Sequence, residues 1–515
     1  MTDSKRSKPS TIISGQFAEI RAWTKLSSAL FICAGDKSPA RYYSDSDSVF
    51  GGRGAVHRDR MSIVQGTMIC GWEGGEAAHK KRKTSNKTKV HNANKMHTKP
   101  SPASQQKPCR EKLLTYSPID DIIKAYPIKL KGNTMKHHLY NPDFKFVREP
   151  ESFDKYTERE LLQYCLGATM YMPGTKNFTP KILNGSMPGL TTVVLCFEDA
   201  CPEDSVEAAE KNVYHLLDTV TDAVENGTLD PDRVPLIFVR IRNLEQFRHF
   251  AKGLDKHKAK SLCGINFPKF NAENGYEYFA YLKGLSEVLG DTLYGMPIIE
   301  DPEVAYKESR ITELLGIKRI LDKYHDLVLQ VRVGGTDFSS VFGVRRGVDY
   351  SIYDIMTVRE CLADIINICG RNNDYVISGP VWEYFRAPKE LMFEELPSHS
   401  LEDYLFKRQT IVNNEVDGLL REVILDKANG FVGRTVIHPT HVRFVNALMA
   451  VTKEEYDDAC MILGNTQGGV VKGSGGNKMN EIRPHTNWAT KIFMRARAFG
   501  VIENQSEYVK LFNVK

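Results

Sequence analysis

Two acidic residues near the middle of the sequence have the side-chain type and the position to bind a divalent metal ion. Glu300 ends the apolar run LYGMPIIE, and Asp337 follows the next apolar run, LVLQVRVGG. If both runs are neighbouring parallel strands, the two carboxylates approach each other and repel unless a cation or a proton lies between them. Two carboxylates, completed by water and substrate oxygens, form a Mg²⁺ site without a dedicated protein cage. The alternative is a pair of capping or salt-bridging acids.

Two arginines, Arg240 and Arg242, lie near the end of the run FVRIRN. A guanidinium at Arg240 can hold a carboxylate or carbonyl oxygen through two hydrogen bonds. Arg242 has the same parity along the strand, so the sequence predicts substrate contacts for both arginines. Glu198 and Asp199 end the run TTVVLCFED and are candidate catalytic residues. A structural ion pair between one arginine and one of these acids is the alternative.

Three further candidates stand at run ends and admit more than one role. Lys269 ends SLCGINFPK, where it could support substrate electrostatically, act as a Schiff-base nucleophile or form a salt bridge. Gly334 and Gly335 would let the backbone approach a substrate closely, or else form a tight turn. His438, in VIHPTHV, could move a proton or simply fix the entry of the following helix. The sequence leaves these alternatives open.

These residues must be positioned by a parallel sheet. Short apolar, β-branched runs alternate with amphipathic stretches whose apolar residues recur at spacings of three and four, the pattern of repeated βα units. Eight runs are predicted strands: 166–173, 191–199, 235–242, 261–269, 293–300, 327–335, 374–381 and 431–439. Eight such units predict an α/β fold of the TIM (β/α)8 barrel type, with the polar strand ends gathered on one rim. An open doubly wound sheet is the alternative.

The two ends of the chain differ from this barrel region. Residues 1–134 carry 24 Lys or Arg and 11 Asp or Glu, and a polar tract rich in Lys, Ser, Asn and Pro predicts disorder. The basic run Lys80–Lys83 could make a weak nucleic-acid contact, but a solvated tail is the more common case. Met135 precedes the first ordered-looking sequence, and one hypothesis is that the natural protein starts at this methionine. Residues 135–450 are then the catalytic barrel and 451–515 a C-terminal helical extension.

The bulk composition favours a cytoplasmic enzyme. No apolar run approaches the roughly 18–20 residues that span a bilayer, and the polar beginning MTDSKRSKPS is a poor secretory signal. The ten cysteines show no paired spacing, and several lie within apolar runs, where reduced thiols fit best. We therefore expect a cytoplasmic protein that makes no contact with a membrane.

The run ends, taken together, resemble a known family. Their order and spacing over residues 160–465 are similar to the citrate lyase β-subunit-like family, also called the HpcH/HpaI aldolase and citrate lyase group. The matching motifs are MYMPG at 170–174, VVLCFEDA at 193–200, VRIRN at 239–243, INFPK at 265–269, PIIE at 297–300, GGTD at 334–337 and GFVGRTVIHP at 430–439. KMNEIRPHTNWA and RARAFGV further resemble a divergent branch of carbon–carbon bond lyases found with tellurium-resistance-type gene clusters.

The resemblance implies a Mg²⁺-dependent carbon–carbon bond lyase that acts on a small oxo or hydroxy acid or an acyl thioester through an enolate-like intermediate. It places Mg²⁺ on Glu300 and Asp337 and substrate oxygens on Arg240. It also implies a homotrimer or related homo-oligomer in which C-terminal helices help to close a neighbouring active site. An acyl thioester hydrolase, a class I aldolase using Lys269 and a non-catalytic binding subunit are the alternatives. The sequence identifies neither the substrate nor the general acid or base, for which Glu198, His438 and another subunit's residue are candidates.

Overall fold

The computed structural model describes residues 136–386 and 401–512, which belong to one compact unit. These ranges cover the barrel region and the C-terminal segment. The predictions made for residues 1–134 and for the start at Met135 lie outside the described residues. The boundary drawn from the sequence between the barrel and the C-terminal segment stays a prediction.

Seven parallel strands form the main sheet. They are β1 Ala168–Pro173, β2 Thr192–Cys196, β3 Leu236–Arg240, β4 Leu262–Phe267, β5 Tyr294–Ile299, β6 Arg332–Val333 and β7 Arg434–Val436. Their order across the sheet is β6-β5-β4-β3-β2-β1-β7, and every neighbouring pair is parallel. β2, β4 and β5 are buried along their full length because helices cover the sheet. Each of these strands overlaps a run predicted from the sequence.

The remaining predicted strand, 374–381, closes the barrel through isolated bridges. Ile377 pairs in parallel with Val331 beside β6, and Gly379 pairs with Arg434 of β7. The backbone N–H of Val331 donates to the Val376 carbonyl at 2.9 Å, and that of Gly379 donates to the Gly433 carbonyl at 3.0 Å. The ladder is short because the proline that follows Gly379 has no N–H to continue it. The eight positions confirm the TIM-barrel prediction.

Helices follow the strands and pack on the outside of the barrel. In chain order they are α1 Arg159–Leu162, α2 Thr179–Leu183, α3 Val206–Glu225, α4 Leu244–Ala251, α5 Lys256–Ala259, α6 Gly275–Leu289, α7 Pro302–Ala305, α8 Arg310–Lys323, α9 Gly335–Val341, α10 Met356–Cys369, α11 Leu401–Phe406, α12 Asn414–Ala428 and α13 Val442–Met449. The longest, α3, buries Val213, Leu216, Leu217 and Val220, which share one face of the helix. The apolar spacing that predicted these helices is therefore the spacing of the residues that they bury.

The C-terminal segment contains three helices and two small strand pairs. The helices are α14 Lys453–Leu463, α15 Ile482–Phe499 and α16 Glu507–Phe512, and the strands are β8 Val451–Thr452, β9 Val470–Lys472, β10 Met479–Glu481 and β11 Val501–Ile502. β9 and β10 form an antiparallel hairpin within the Gly-rich connection, and β8 pairs with β11. The sequence predicted two helices here but neither the hairpin nor α16.

Two expectations from the sequence concern membrane-spanning helices and reduced cysteines. No helix in residues 136–386 and 401–512 is long and apolar enough to cross a membrane. The seven cysteines within these ranges are free and buried.

A fully buried ion network holds the barrel closure to α12. Both Arg434 and Glu422 are completely buried, and their side chains form an ion pair. Glu422 also pairs with Arg346 at 2.6 Å and accepts the backbone N–H of Ile352 at 2.6 Å. Asp426 lies 3.4 Å from Arg434. Because an unpaired charge inside a protein is costly, every member of this network depends on its partners.

Replacing Glu422 by Gln should lower the free energy of unfolding by about 3–5 kcal/mol, because the buried Arg346 loses its counter-charge and Arg434 keeps only Asp426. Urea denaturation followed by circular dichroism measures this change. Glu207→Gln is the control, since Glu207 pairs with Lys211 on an exposed helix face and its removal should leave stability unchanged. A loss for Glu422→Gln as small as that of the control would contradict the assignment.

Candidate active site

Five polar side chains meet at the carboxyl ends of five adjacent strands. Glu198 follows β2, Arg240 ends β3, Lys269 follows β4, Glu300 follows β5, and Asp337 lies in the first turn of α9 after β6. Parallel strands present their carboxyl ends on the same rim of a barrel, which is why residues distant in sequence come together. This rim is the candidate active site.

Glu300 is the deepest acid of the site. Its side chain is buried, and one oxygen accepts the backbone N–H of Lys269 at 3.0 Å. Burial, followed by the negative charge of Asp337, raises the pKa of Glu300 to about 8. Asp337 is half-buried at the beginning of α9. The two carboxylates therefore lie close enough to repel each other, as expected for a site that a cation would complete.

Gly334 makes room for the Glu300 carboxyl group. A Cβ atom on this residue would lie 2.2 Å from Oε2 of Glu300 and 2.4 Å from its Cβ, so any other residue would displace the acid. The Gly334 N–H donates to the carbonyl of Ile299 at 3.1 Å, which fixes the two strand ends against each other. Gly335 is also close-packed, because a Cβ there would lie 3.0 Å from Cβ of Pro380. Gly334 thus leaves the space for Glu300, and Gly335 allows the close packing on Pro380.

The chemistry of this donor set fits Mg²⁺. Within residues 136–386 and 401–512, no group of three or more His, Cys, Asp or Glu side chains could hold a metal by itself. A pair of carboxylates leaves the other positions of an octahedron to water and substrate oxygens, as is usual for Mg²⁺. Structural zinc, by contrast, needs four protein ligands of nitrogen or sulfur type. Glu300 and Asp337 are the residues that would hold the ion.

Arg240 is held in place by three neighbouring side chains. Its two terminal nitrogens lie 3.1 Å from Oε2 of Glu198 and 3.3 Å from Oδ2 of Asp199, and Nε donates to Sγ of Cys196 at 3.1 Å. Partial burial raises the pKa of Asp199, but the charge of Arg240, a hydrogen bond with Glu198 and the charge of Lys269 together outweigh burial, so the net pKa lies below its ordinary value. A guanidinium has five N–H donors, so two remain for a ligand. The ion pair and the substrate-binding role predicted as alternatives are thus compatible.

Lys269 supports this cluster as a cation. Its ammonium group is bound to Oε1 of Glu198, and its backbone adopts a left-handed conformation with φ of 47°. Partial burial lowers the pKa of Lys269, but the hydrogen bond and charge of Glu198 outweigh burial and leave the pKa above its ordinary value. A Schiff-base lysine must lose its proton, so this environment disfavours the class I aldolase alternative.

Arg242 and His438 make other contacts than the predicted ones. Arg242 donates to the carbonyls of Phe197 and Cys201, both at 3.0 Å, and so fixes the loop after β2. β3 ends at Arg240, so the strand parity that grouped the two arginines does not extend to Arg242. His438 bonds to Thr440 at 2.8 Å and stacks on Phe385 with ring centroids 4.2 Å apart. Its contacts match the predicted alternative of fixing the chain entry, and no contact in the described residues joins Arg242 or His438 to the five side chains of the rim.

Three polar residues that lie beneath the rim were not predicted from the sequence. Tyr171 of β1, Asn266 of β4 and Arg332 of β6 point into the barrel, where the Tyr171 ring lies 5.5 Å from the guanidinium carbons of both Arg240 and Arg332. Asn266 donates to the Tyr171 hydroxyl at 2.5 Å. Each lies within a predicted strand rather than at its end. Strand parity could have found Arg332, which stands two residues before Gly334.

A comparison with protein families agrees with the barrel, and a comparison with solved structures gives distant similarities. A family described as C-C bond lyase of the TIM-barrel fold matches residues 160–501. CitE from Mycobacterium tuberculosis, solved with magnesium, acetoacetate and coenzyme A, is 16% identical; the match covers 65% of this chain and 99% of that chain, with a TM-score of 0.42. RipC from Yersinia pestis is 14% identical over 56% of this chain and 95% of that chain, with a TM-score of 0.36. Haloferax volcanii malate synthase, as a lead(II) complex, is 11% identical over 54% and 71%, with a TM-score of 0.39. No curated protein matches the sequence.

The raised pKa of Glu300 predicts a pH-dependent stability in metal-free protein. The folded pKa of about 8 exceeds the ordinary value of 4.5, so the folded state binds this proton more tightly than the unfolded state. Its contribution to stability is present below about pH 4.5 and is lost, at about 1.4 kcal/mol per pH unit, as the pH rises to 8. In Glu300→Gln this loss should be absent. Denaturation at several pH values in the presence of EDTA measures the difference, and parallel curves for the two proteins would contradict it.

Proposed function

Because this chain belongs to the C-C bond lyase family of the TIM-barrel fold, we propose that it is a Mg²⁺-dependent lyase. It breaks or forms a carbon–carbon bond next to the carbonyl or carboxylate of a small oxo or hydroxy acid or an acyl thioester. The observation that carries this proposal is the pair of carboxylates, Glu300 and Asp337, whose charges interact, with Glu300 in a space that only a glycine at position 334 leaves for it. The charge balance of the rim and the placement of its side chains support it.

The formal charges of the rim favour one divalent cation. Four carboxylates belong to it, Glu198, Asp199, Glu300 and Asp337, against the two cations Arg240 and Lys269. With all six ionised, the rim carries a net charge of −2. Removing this excess requires either protonation of the acids or a single Mg²⁺ ion. The second option leaves every group in its ordinary ionised form at neutral pH.

Each residue of the rim has a defined task in this proposal. Bound at Glu300 and Asp337, Mg²⁺ supplies Lewis-acid stabilisation of the enolate-like charge that develops on substrate oxygens. Arg240 offers its two free N–H donors to the same acid, and charged donors of this kind are pre-organised for a developing negative charge. Glu198, fixed by Lys269, keeps the guanidinium at one height on the rim. Gly334 admits the ligand to the depth of Glu300.

The other functions considered differ in what they require. A thioester hydrolase would release a free acid with no change of carbon skeleton, and a non-catalytic subunit would turn over no acid. No contact in the described residues favours either function over the lyase. The small-molecule acid partner belongs to the proposal, while the homo-oligomer and the cytoplasmic location stay predictions.

Glu300→Gln and Asp337→Asn should each weaken Mg²⁺ binding by about 100-fold, because each removes one of two charged ligands. Isothermal titration of the full chain with MgCl₂, with and without pyruvate, measures the affinity. Proton NMR of pyruvate in D₂O measures the Mg²⁺-dependent exchange of its methyl hydrogens, which both variants should lose.

Glu303→Gln is the matched control, since Glu303 is exposed on α7 three residues after Glu300. It should bind Mg²⁺ as the wild type does. The proposal fails if the wild type binds no Mg²⁺, or if the site variants bind it as tightly as the control.

Gly334→Ala should also reduce Mg²⁺ affinity, although it removes no ligand. The added Cβ would lie 2.2 Å from Oε2 of Glu300 and would force that carboxyl group away from Asp337. Gly347→Ala serves as the control because a Cβ atom added there would lie 3.6 Å from its nearest neighbour, a ring carbon of Tyr350. Equal Mg²⁺ affinity of the two variants in the same titration would contradict the role given to Gly334.

A further inference from the structure

We propose that Tyr171 is the group that carries a proton to and from the carbon next to the carbonyl of the bound acid, and that Arg332 and Asn266 position it. This inference rests on the proposed lyase function and names a residue for a step that the rim leaves without one. Three observations support it: the contacts of the Tyr171 hydroxyl, the charge of Arg332 and the engagement of the other candidates.

Tyr171 lies at the centre of the barrel, directly beneath the rim. Its ring is placed between two guanidinium groups, those of Arg240 and Arg332, each 5.5 Å from the ring centroid. The side-chain amide of Asn266 donates to the phenolic oxygen at 2.5 Å. Among the described residues, this is the hydrogen bond that the hydroxyl makes, and in it the phenolic oxygen is the acceptor. The surroundings are therefore suited to the phenolate that remains once the proton has left.

Arg332 contributes a positive charge that no acid balances. The side chain is only 1% exposed, and it donates to neutral oxygens: Thr169 at 3.2 Å, Gln330 at 2.9 Å and Thr435 at 2.6 Å. Its Nε has no partner within the described residues. A buried guanidinium without a carboxylate is costly, so this part of the barrel stabilises any anion formed beside it. A phenolate at Tyr171 is such an anion.

The same environment keeps the resting hydroxyl protonated. Burial raises the pKa of Tyr171, and the nearby charge of Glu300 raises it further. Arg332, Arg240 and the Asn266 hydrogen bond act in the opposite direction without cancelling the effect of burial. The phenol is thus a proton donor at rest, and the two arginines limit the cost of its deprotonation.

The proton transfer balances as follows. When the carbon–carbon bond breaks, the carbon that bears a hydroxyl becomes a carbonyl and its hydroxyl proton passes to solvent, while the electron pair of the bond remains on the other fragment as an enolate. The Tyr171 O–H bond then breaks, its proton forms the new C–H bond, and the electron pair stays on the phenolic oxygen. Solvent returns a proton to the phenolate. In the direction of bond formation, the phenolate removes the same hydrogen.

Two of the residues first considered for this step, Glu198 and His438, are engaged elsewhere. Glu198 is bound by both Arg240 and Lys269, and His438 is held by Thr440 and Phe385. Lys269 is held as an ammonium by Glu198. The Tyr171 hydroxyl, by contrast, only accepts a hydrogen bond in the described residues, and it lies beneath the same rim.

Tyr171→Phe tests this directly in the full chain with Mg²⁺ and 2-oxobutyrate in D₂O. The two hydrogens on C3 of this acid are distinguishable, so a positioned donor exchanges one of them selectively. We expect the variant to exchange at least about 100-fold more slowly, as for the loss of a general acid or base, and to lose the selectivity. Its Mg²⁺ affinity should equal that of the wild type. Tyr281→Phe, a half-buried tyrosine on α6 that packs on Phe247, is the matched control and should change neither.

A second variant keeps Tyr171 and alters its surroundings. Without Arg332 the phenolate loses a neighbouring charge, so the pKa of Tyr171 rises, while Arg240, Asn266 and Glu300 still face it. The pH at which exchange reaches half its maximal rate should therefore rise in Arg332→Gln. A purely structural effect would lower the rate equally at every pH and leave that midpoint unchanged.

The outcomes separate this inference from the proposed function. Exchange by Tyr171→Phe at the wild-type rate and selectivity overturns the role of Tyr171 alone. A wild type that binds Mg²⁺ through Glu300 yet exchanges no hydrogen of pyruvate or 2-oxobutyrate also overturns it and leaves the metal site standing. A wild type that binds no Mg²⁺ overturns the lyase proposal and this inference together.

Discussion

The repulsion between Glu300 and Asp337 is the constraint on which the site depends. Two adjacent strands deliver two acids to one place, and burial makes the negative charge of Glu300 costly. The neighbouring backbone is shaped to keep them there: Gly334 leaves the space for Glu300, and the left-handed Lys269 turns its N–H toward the same carboxyl group. Such an arrangement does not stabilise a metal-free protein. It is understandable as a site that a cation completes.

The barrel interior beneath the rim is more polar than packing alone requires. The interior of this fold is usually filled by branched apolar side chains. Here Arg332, Asn266 and Tyr171 occupy it, and Arg332 is balanced by no acid in the described part of the chain. The ion network around Glu422 is equally buried but is internally balanced, and it holds the loop before Trp382 to α12. The contrast between a balanced network and an unbalanced cation separates a structural role from a functional one.

The sequence was sufficient for the barrel and for the residues at strand ends. Apolar runs alternating with amphipathic helices indicated eight strand positions, and each is present, although the run 374–381 is present only as bridges. Side-chain direction beyond a strand was not predictable: Arg242 follows the end of β3, so its parity no longer described its direction. His438 is similar, because its partners Thr440 and Phe385 are set by local turns.

Tyr171 and Arg332 were missed for a different reason. Strand ends indicate the rim but not the residues one layer below it, and only the closed barrel brings side chains of β1 and β6 into contact across its interior. The most direct test of the metal site is a crystal structure of the full chain grown with MnCl₂ and measured for anomalous scattering. We expect one strong peak between the carboxylates of Glu300 and Asp337, within coordination distance of an oxygen of each. Two carboxyl groups hydrogen-bonded to each other with no peak between them would contradict the metal site.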